Sequence, residues 1–201
     1  MRMSIFAAAS AVALMAGAAH AAPVVETPAI VAQDPAFTDA ELKQFGMAMD
    51  QLSAITAQVQ GGAPTDEQQA QMAAAVQNSG LTIERFNEIS NAVSADPVLQ
   101  ARVAVAMAPP SPAGSIGAEV SDEELAGFSA AMVELREISA GIEGGTPTAE
   151  QQSAMAEAVA NSGLTIERFN AISNAVPSDE ALRARVRLAD ARREAETSGA
   201  Q

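Results

Sequence analysis

The chain of 201 residues is long enough for one ordinary domain or two small ones. Its formal net charge of −14 at pH 7 argues against nucleic acid or an anionic membrane as the main partner. The lack of Cys, Trp and Tyr excludes disulfides, thiol chemistry, cysteine metal sites and aromatic sugar platforms.

Residues 1–21 read as a signal peptide. Met1-Arg2-Met3 gives a short positive start, Ile5 to Ala19 is an alanine-rich apolar run, and Ala19-His20-Ala21 supplies small residues three apart. That is the order of an export signal with its cleavage site. The run is shorter than the about 20 apolar residues of a membrane span, so no stable membrane insertion is expected after cleavage. The expected destination is the periplasm or the outside of the cell. Residues 22–37 are rich in Pro and Ala without periodicity, and a disordered segment is expected there.

The rest of the chain is a duplication. Asn78–Asn87 reads NSGLTIERFN, and Asn161–Asn170 repeats it. The offset of 83 holds without a gap from Thr38–Val103 to Ser121–Val186, with 40 identities in 66 positions. The expected organisation is copy 1 over residues 38–107, a Pro/Gly/Ser-rich linker acting as a flexible tether over 108–120, copy 2 over 121–196 and a disordered tail at 197–201.

Each copy reads as about four helices. Thr38-Asp39-Ala40-Glu41 is a capping box, repeated by Ser121 to Glu124. Leu42, Phe45, Met49, Leu52, Thr56 and Val59 then recur at helical spacing over an arc of about 140°, with Gly61-Gly62 as the expected stop. Thr65 and Gln68 open a second helix, with Met72, Ala73 and Val76 inward, and Gly80 provides its left-handed end. Thr82 caps a third helix in which Phe86, Ile89 and Val93 share a face. Asp96-Pro97 opens a fourth, carrying Leu99 and Val103; Pro177-Ser178-Asp179 does the same in copy 2. The predicted fold is all-α: two homologous helical-bundle modules in tandem. A unit of this size buries little area, so the copies are expected to pack on one another or on a second chain, as a homo-oligomer.

No residue set announces catalysis. After removal of 1–21 the chain holds no His, and Lys43, its single Lys, has Ala126 as its counterpart. A nucleophile therefore lacks the base it needs. Gly61-Gly62 lacks the lysine and spacing of a phosphate loop, and no calcium loop is present. No catalytic, cofactor or metal residue is assigned. The methionines could bind soft copper, but Met49, Met72, Met132 and Met155 fall on predicted core faces. Arg183, Arg185, Arg187, Arg192 and Arg193 alternate with acids in the last helix, and a solvated face with an Arg192–Glu196 pair is expected there.

Divergence between the copies is uneven. Residues 78–93 match their counterparts at 15 of 16 positions, but 38–60 at only 9 of 23. On the third helix Glu84, Asn87 and Asn91, repeated as Glu167, Asn170 and Asn174, fall opposite the apolar face. Asparagine is a poor helix former. Either these side chains satisfy nearby backbone groups, or they form a recognition face presented twice.

A first helix with Leu42 and Phe45, then Gly80-Leu81-Thr82-Ile83-Glu84-Arg85-Phe86-Asn87-x-Ile89 and an acidic turn before Leu99, resembles the bacterial domain of unknown function 4168, over 38–103 and 121–186. The resemblance implies export and an all-helical module; it implies no activity, cofactor or catalytic residue. The expected function is a non-enzymatic interaction or adaptor module with an envelope protein as partner. A carrier of a small apolar or cationic ligand held between Ala-rich helices is the second reading, and an enzyme the third.

Overall fold

The computed structural model describes residues 37–59, 63–142 and 145–199; the expected signal segment and most of the expected disordered segment lie outside them. Among the described residues there are nine helices and no strand. Copy 1 supplies α1 (Asp39–Thr56), α2 (Asp66–Asn78), α3 (Ile83–Ala95) and α4 (Pro97–Met107). A single turn, α5 (Ile116–Glu119), precedes copy 2, which supplies α6 (Asp122–Ala140), α7 (Ala149–Asn161), α8 (Ile166–Ala175) and α9 (Glu180–Gly199).

Helix starts follow the local chemistry of the chain. Thr38, Thr65, Ser121 and Thr148 each form a reciprocal capping box with Glu41, Gln68, Glu124 and Gln151, which satisfies two otherwise orphaned donors per helix. Asp96 caps α4 through the amides of Val98 and Leu99, and Asp179 caps α9 through that of Leu182. The chain leaves α2 at Gly80 with φ +91° and α7 at Gly163 with φ +75°. That left-handed backbone favours glycine.

Each copy has its own core. Leu42, Phe45, Leu81 and Ile89 meet in copy 1, together with Phe37. Their equivalents Leu125, Phe128, Leu164 and Ile172 meet in copy 2, together with Val120 and Leu182. In both copies a phenylalanine of the first helix lies on one of the third: Phe45 on Phe86 at 5.1 Å and Phe128 on Phe169 at 4.9 Å between ring centres. Such tilted pairs add to the area they bury.

The copies then pack through equivalent helices. α1 lies on α4, α4 on α9, and α9 on α6. α4 contains no fully buried residue; its Leu99, Val103 and Ala106 pack partly buried against the copy 1 core. The small, partly buried side chains of Ala101 and Ala106 permit close approach.

Four expectations require correction. The apolar stripe of α1 runs through Leu42, Phe45 and Ala48; Met49 and Thr56 are exposed, and the helix ends at Thr56, ahead of the glycines. The linker is not a free tether. Val120 and Gly117 are buried, and the hydroxyl of Ser111 donates to the Asp179 carboxylate at 2.9 Å. Of the expected tail, residues 197–199 complete α9. Arg192 stands 4.0 Å from Asp122, and no Arg192–Glu196 pair forms.

No helix among the described residues is long and apolar enough to cross a membrane.

Candidate functional site

The identical decapeptides build identical corners. The Ser79 hydroxyl donates to the Val76 carbonyl at 2.6 Å and accepts from the amide of Leu81, turning the chain so that Leu81 enters the core. Thr82 then caps α3 by accepting from the amide of Arg85. In copy 2, Ser162, Leu164, Thr165 and Arg168 repeat each contact.

Arg85 points inward. Its Nε donates to Oε1 of Glu41 at 2.7 Å, and Nη1 donates to Glu88 at 2.9 Å. Its guanidinium also lies over the Phe37 ring, 4.6 Å from the centre. Arg168 binds Glu124 through both Nε and Nη2, at 2.6 and 3.1 Å; Val120 stands where copy 1 has Phe37. These hydrogen bonds hold the carboxyls of Glu41 and Glu124 down to about 2, with the capping-box donors as the next cause. Hydrogen bonding to the charged form stabilises it.

A second pair of arginines ties the last helix of each copy to the segment of chain entering its first. Arg102 donates to the Phe37 carbonyl at 2.9 Å and to Asp39 at 2.7 Å. Arg185 donates to the Val120 carbonyl at 2.9 Å, to Asp122 at 2.7 Å and to the Gly117 carbonyl at 3.1 Å. Arg185 is therefore an anchor rather than part of a solvated face. Sequence reasoning missed both pairs, although each arginine and each carboxylate recurs at the 83-residue offset.

With Leu81, Arg85, Phe86 and Ile89 turned inward, the other face of the third helix is left to solvent. Glu84, Asn87 and Asn91 are exposed on α3, and Glu167, Asn170 and Asn174 on α8. Among the described residues none of the four asparagine side chains makes a hydrogen bond. Beside them stands one apolar residue that the sequence reading passed over, Ile83, 44% exposed, and its equivalent Ile166, 57% exposed. Both lie at the first position of their helix, one turn from Asn87 or Asn170.

Elsewhere, a shallow depression of about 360 Å³ has its described lining residues, Ala149, Glu150, Ser153, Ala154 and Glu157, all on α7. Among the described residues no three acidic or histidine side chains gather as a metal site requires.

The model of a domain of unknown function, DUF4168, matches residues 63–103 and 146–186. Each match opens just before the second helix of a copy and ends within the last, so α1 and α6 lie outside it, a narrower span than the resemblance drawn from the sequence. No curated protein and no solved structure matches the chain. The two corners described above, with the helices on either side of them, are two tandem copies of DUF4168.

Proposed function

We propose that the chain is an exported, non-enzymatic adaptor of the cell envelope that presents one helix face twice to a protein partner. The face consists of Ile83, Glu84, Asn87 and Asn91 on α3, with Ile166, Glu167, Asn170 and Asn174 on α8. The observation that carries this reading is the exposure of all four asparagines without a side-chain hydrogen bond. Packing accounts for the identity of the inward residues, since Leu81, Arg85, Phe86 and Ile89 each have partners in the copy. It gives no reason for an exposed isoleucine, or for two poor helix formers on the outer face of both copies. A mixed surface with an apolar centre and a polar rim is the usual composition of a protein contact. The charge of the chain, −14, suits a basic partner and disfavours nucleic acid.

The test begins with crosslinking capture from envelope extract by residues 22–201. The captured protein is then purified and its affinity measured against this chain and against a variant with Asn87, Asn91, Asn170 and Asn174 all changed to Ala. Loss of binding by the variant, at unchanged melting temperature, supports the adaptor. Equal binding removes the face from the proposal, and absence of any captured protein removes the adaptor.

A further inference from the structure

We infer that two residue pairs at the contacts of α1 with α4 and α6 with α9 form a pairing code, which directs each first helix to its own last helix. The problem it solves arises from the duplication. The last helices α4 and α9 lie against each other, and each also carries one first helix. Exchange, with α1 on α9 and α6 on α4, needs only that neighbouring helices trade places, within one chain or between two. Homologous elements that share their core residues can exchange in this way.

Several of the core and ion-pair contacts cannot tell the two arrangements apart. Leu42 and Leu125, Phe45 and Phe128, Leu99 and Leu182, and Val103 and Val186 are the same residue in both copies. Arg102 with Asp39 and Arg185 with Asp122 are likewise the same pair at the same 2.7 Å.

Among the positions at which the copies differ, one on each first helix faces one on the last helix of its own copy. In copy 1, Gly46 lies under Met107, and a Cβ on residue 46 would stand 2.5 Å from both Cγ and Sδ of that methionine. The equivalent residues in copy 2 are Ser129 and Asp190. There the serine, 1% exposed, donates its hydroxyl to the aspartate carboxylate. Glycine makes room for the thicker side chain; serine supplies a donor for the thinner one.

Exchange spoils both pairs at once. Met107 over Ser129 would meet a Cβ where it needs space, and the buried hydroxyl would lose its acceptor. Asp190 over Gly46 would bring a carboxylate to a site with no donor and leave the methionine's volume empty. Buried polar groups without partners and unfilled volume both disfavour the exchanged form, so discrimination works from both sides.

The experiment uses the full chain, whose lack of cysteine lets introduced cysteines report on pairing. Cysteines replacing Asp39 and Arg102 report α1 on α4; cysteines replacing Asp39 and Arg185 report α1 on α9. A short bismaleimide joins whichever pair is close. Met107→Asp with Asp190→Met exchanges half of the code. It should lower the urea midpoint and shift crosslinking several-fold from 39–102 towards 39–185. Adding Gly46→Ser and Ser129→Gly restores matched pairs within each copy, and should recover both the midpoint and the 39–102 crosslink. An unchanged midpoint and crosslink pattern in the first variant would overturn the inference. So would a four-residue variant no more stable than the first, and this comparison still decides if the first variant does not fold.

Discussion

Glu41 holds Arg85 across 44 residues of chain with the same carboxylate that closes the cap of α1: Oε1 accepts from the arginine Nε at 2.7 Å, and Oε2 accepts from the Thr38 amide at 2.8 Å. Glu124 repeats the arrangement with Arg168 and Ser121. A local element, the helix start, is thereby fastened to a distant one, the corner that leads into the third helix.

Acid should release this fastening within a definite window. Both carboxyls lie at about 2 in the folded chain, against an ordinary value of 4.5, with the arginine hydrogen bond as the largest cause. A carboxylate held below its unfolded value contributes stability above that value and loses it as pH falls towards the folded one. The contribution of Glu41 and Glu124 is therefore complete above about 4.5 and disappears between there and about 2. Urea midpoints should show Glu41→Gln/Glu124→Gln well below the parent chain at pH 6 and the two converging by pH 2. A constant gap across that range would mean that the carboxylates act only through packing.

The turn at Gly163 offers a cleaner test of backbone conformation. Its φ is +75°, and nothing lies within 4 Å of where a Cβ would stand, so a side chain meets no steric obstacle beyond its own backbone. Gly163→Ala should cost about 1–2 kcal/mol, and Gly163→Asn less, because asparagine tolerates the left-handed region. Chemical denaturation measures both. Equal costs would point to a contact rather than to φ.

What was legible in the chain was local. Thr38 with Glu41, Thr65 with Gln68, and Gly80 before Leu81 announce helix starts and ends because their partners lie three or four residues away. The repeat placed all of this twice. What failed required partners far along the chain. Met49 satisfies the helical spacing as well as Ala48 does, but the closeness of α4 selects the smaller side chain for the buried position. The linker composition suggested a tether, and only the fold brings Asp179 to Ser111 and Arg185 to Gly117. At the candidate face the pattern showed which residues point outward. It could not show that Asn87 and Asn91 lack partners, since a backbone group from an adjoining turn could have met them.

Arg185 tests the pinned linker directly. Its guanidinium reaches the Gly117 and Val120 carbonyls and the Asp122 carboxylate, joining α5, the start of α6 and α9. Arg185→Ala removes the donor for all three acceptors. Hydrogen bonds to a charged group are each worth about 1.5–3 kcal/mol, and partial exposure to water lowers that, so a total loss of about 2 kcal/mol is expected. Amide exchange should accelerate over residues 115–120 more than elsewhere in copy 2. Arg185→Lys should restore little of this, because an ammonium is a point charge without the planar fork that spans several acceptors. Uniform acceleration throughout the copy would show instead that the residue supports the core as a whole.

The asparagines of the third helix decide between support and recognition by the sign of a small effect. An exposed asparagine in a helix interior without a side-chain hydrogen bond is less favourable than alanine by a few tenths of a kcal/mol. Asn87→Ala and Asn91→Ala should therefore each raise stability by that amount, as should Asn170→Ala and Asn174→Ala in copy 2. A loss of about 1–2 kcal/mol at any of the four would instead reveal a hydrogen bond made in solution, and that position would join the scaffold. Stabilisation at all four would mean that both copies hold a less stable residue on the outer face. Retaining such a residue at the expense of stability is the mark of a surface used for contact. The measurement is a set of thermal or urea melts of single variants, and it requires no knowledge of the partner.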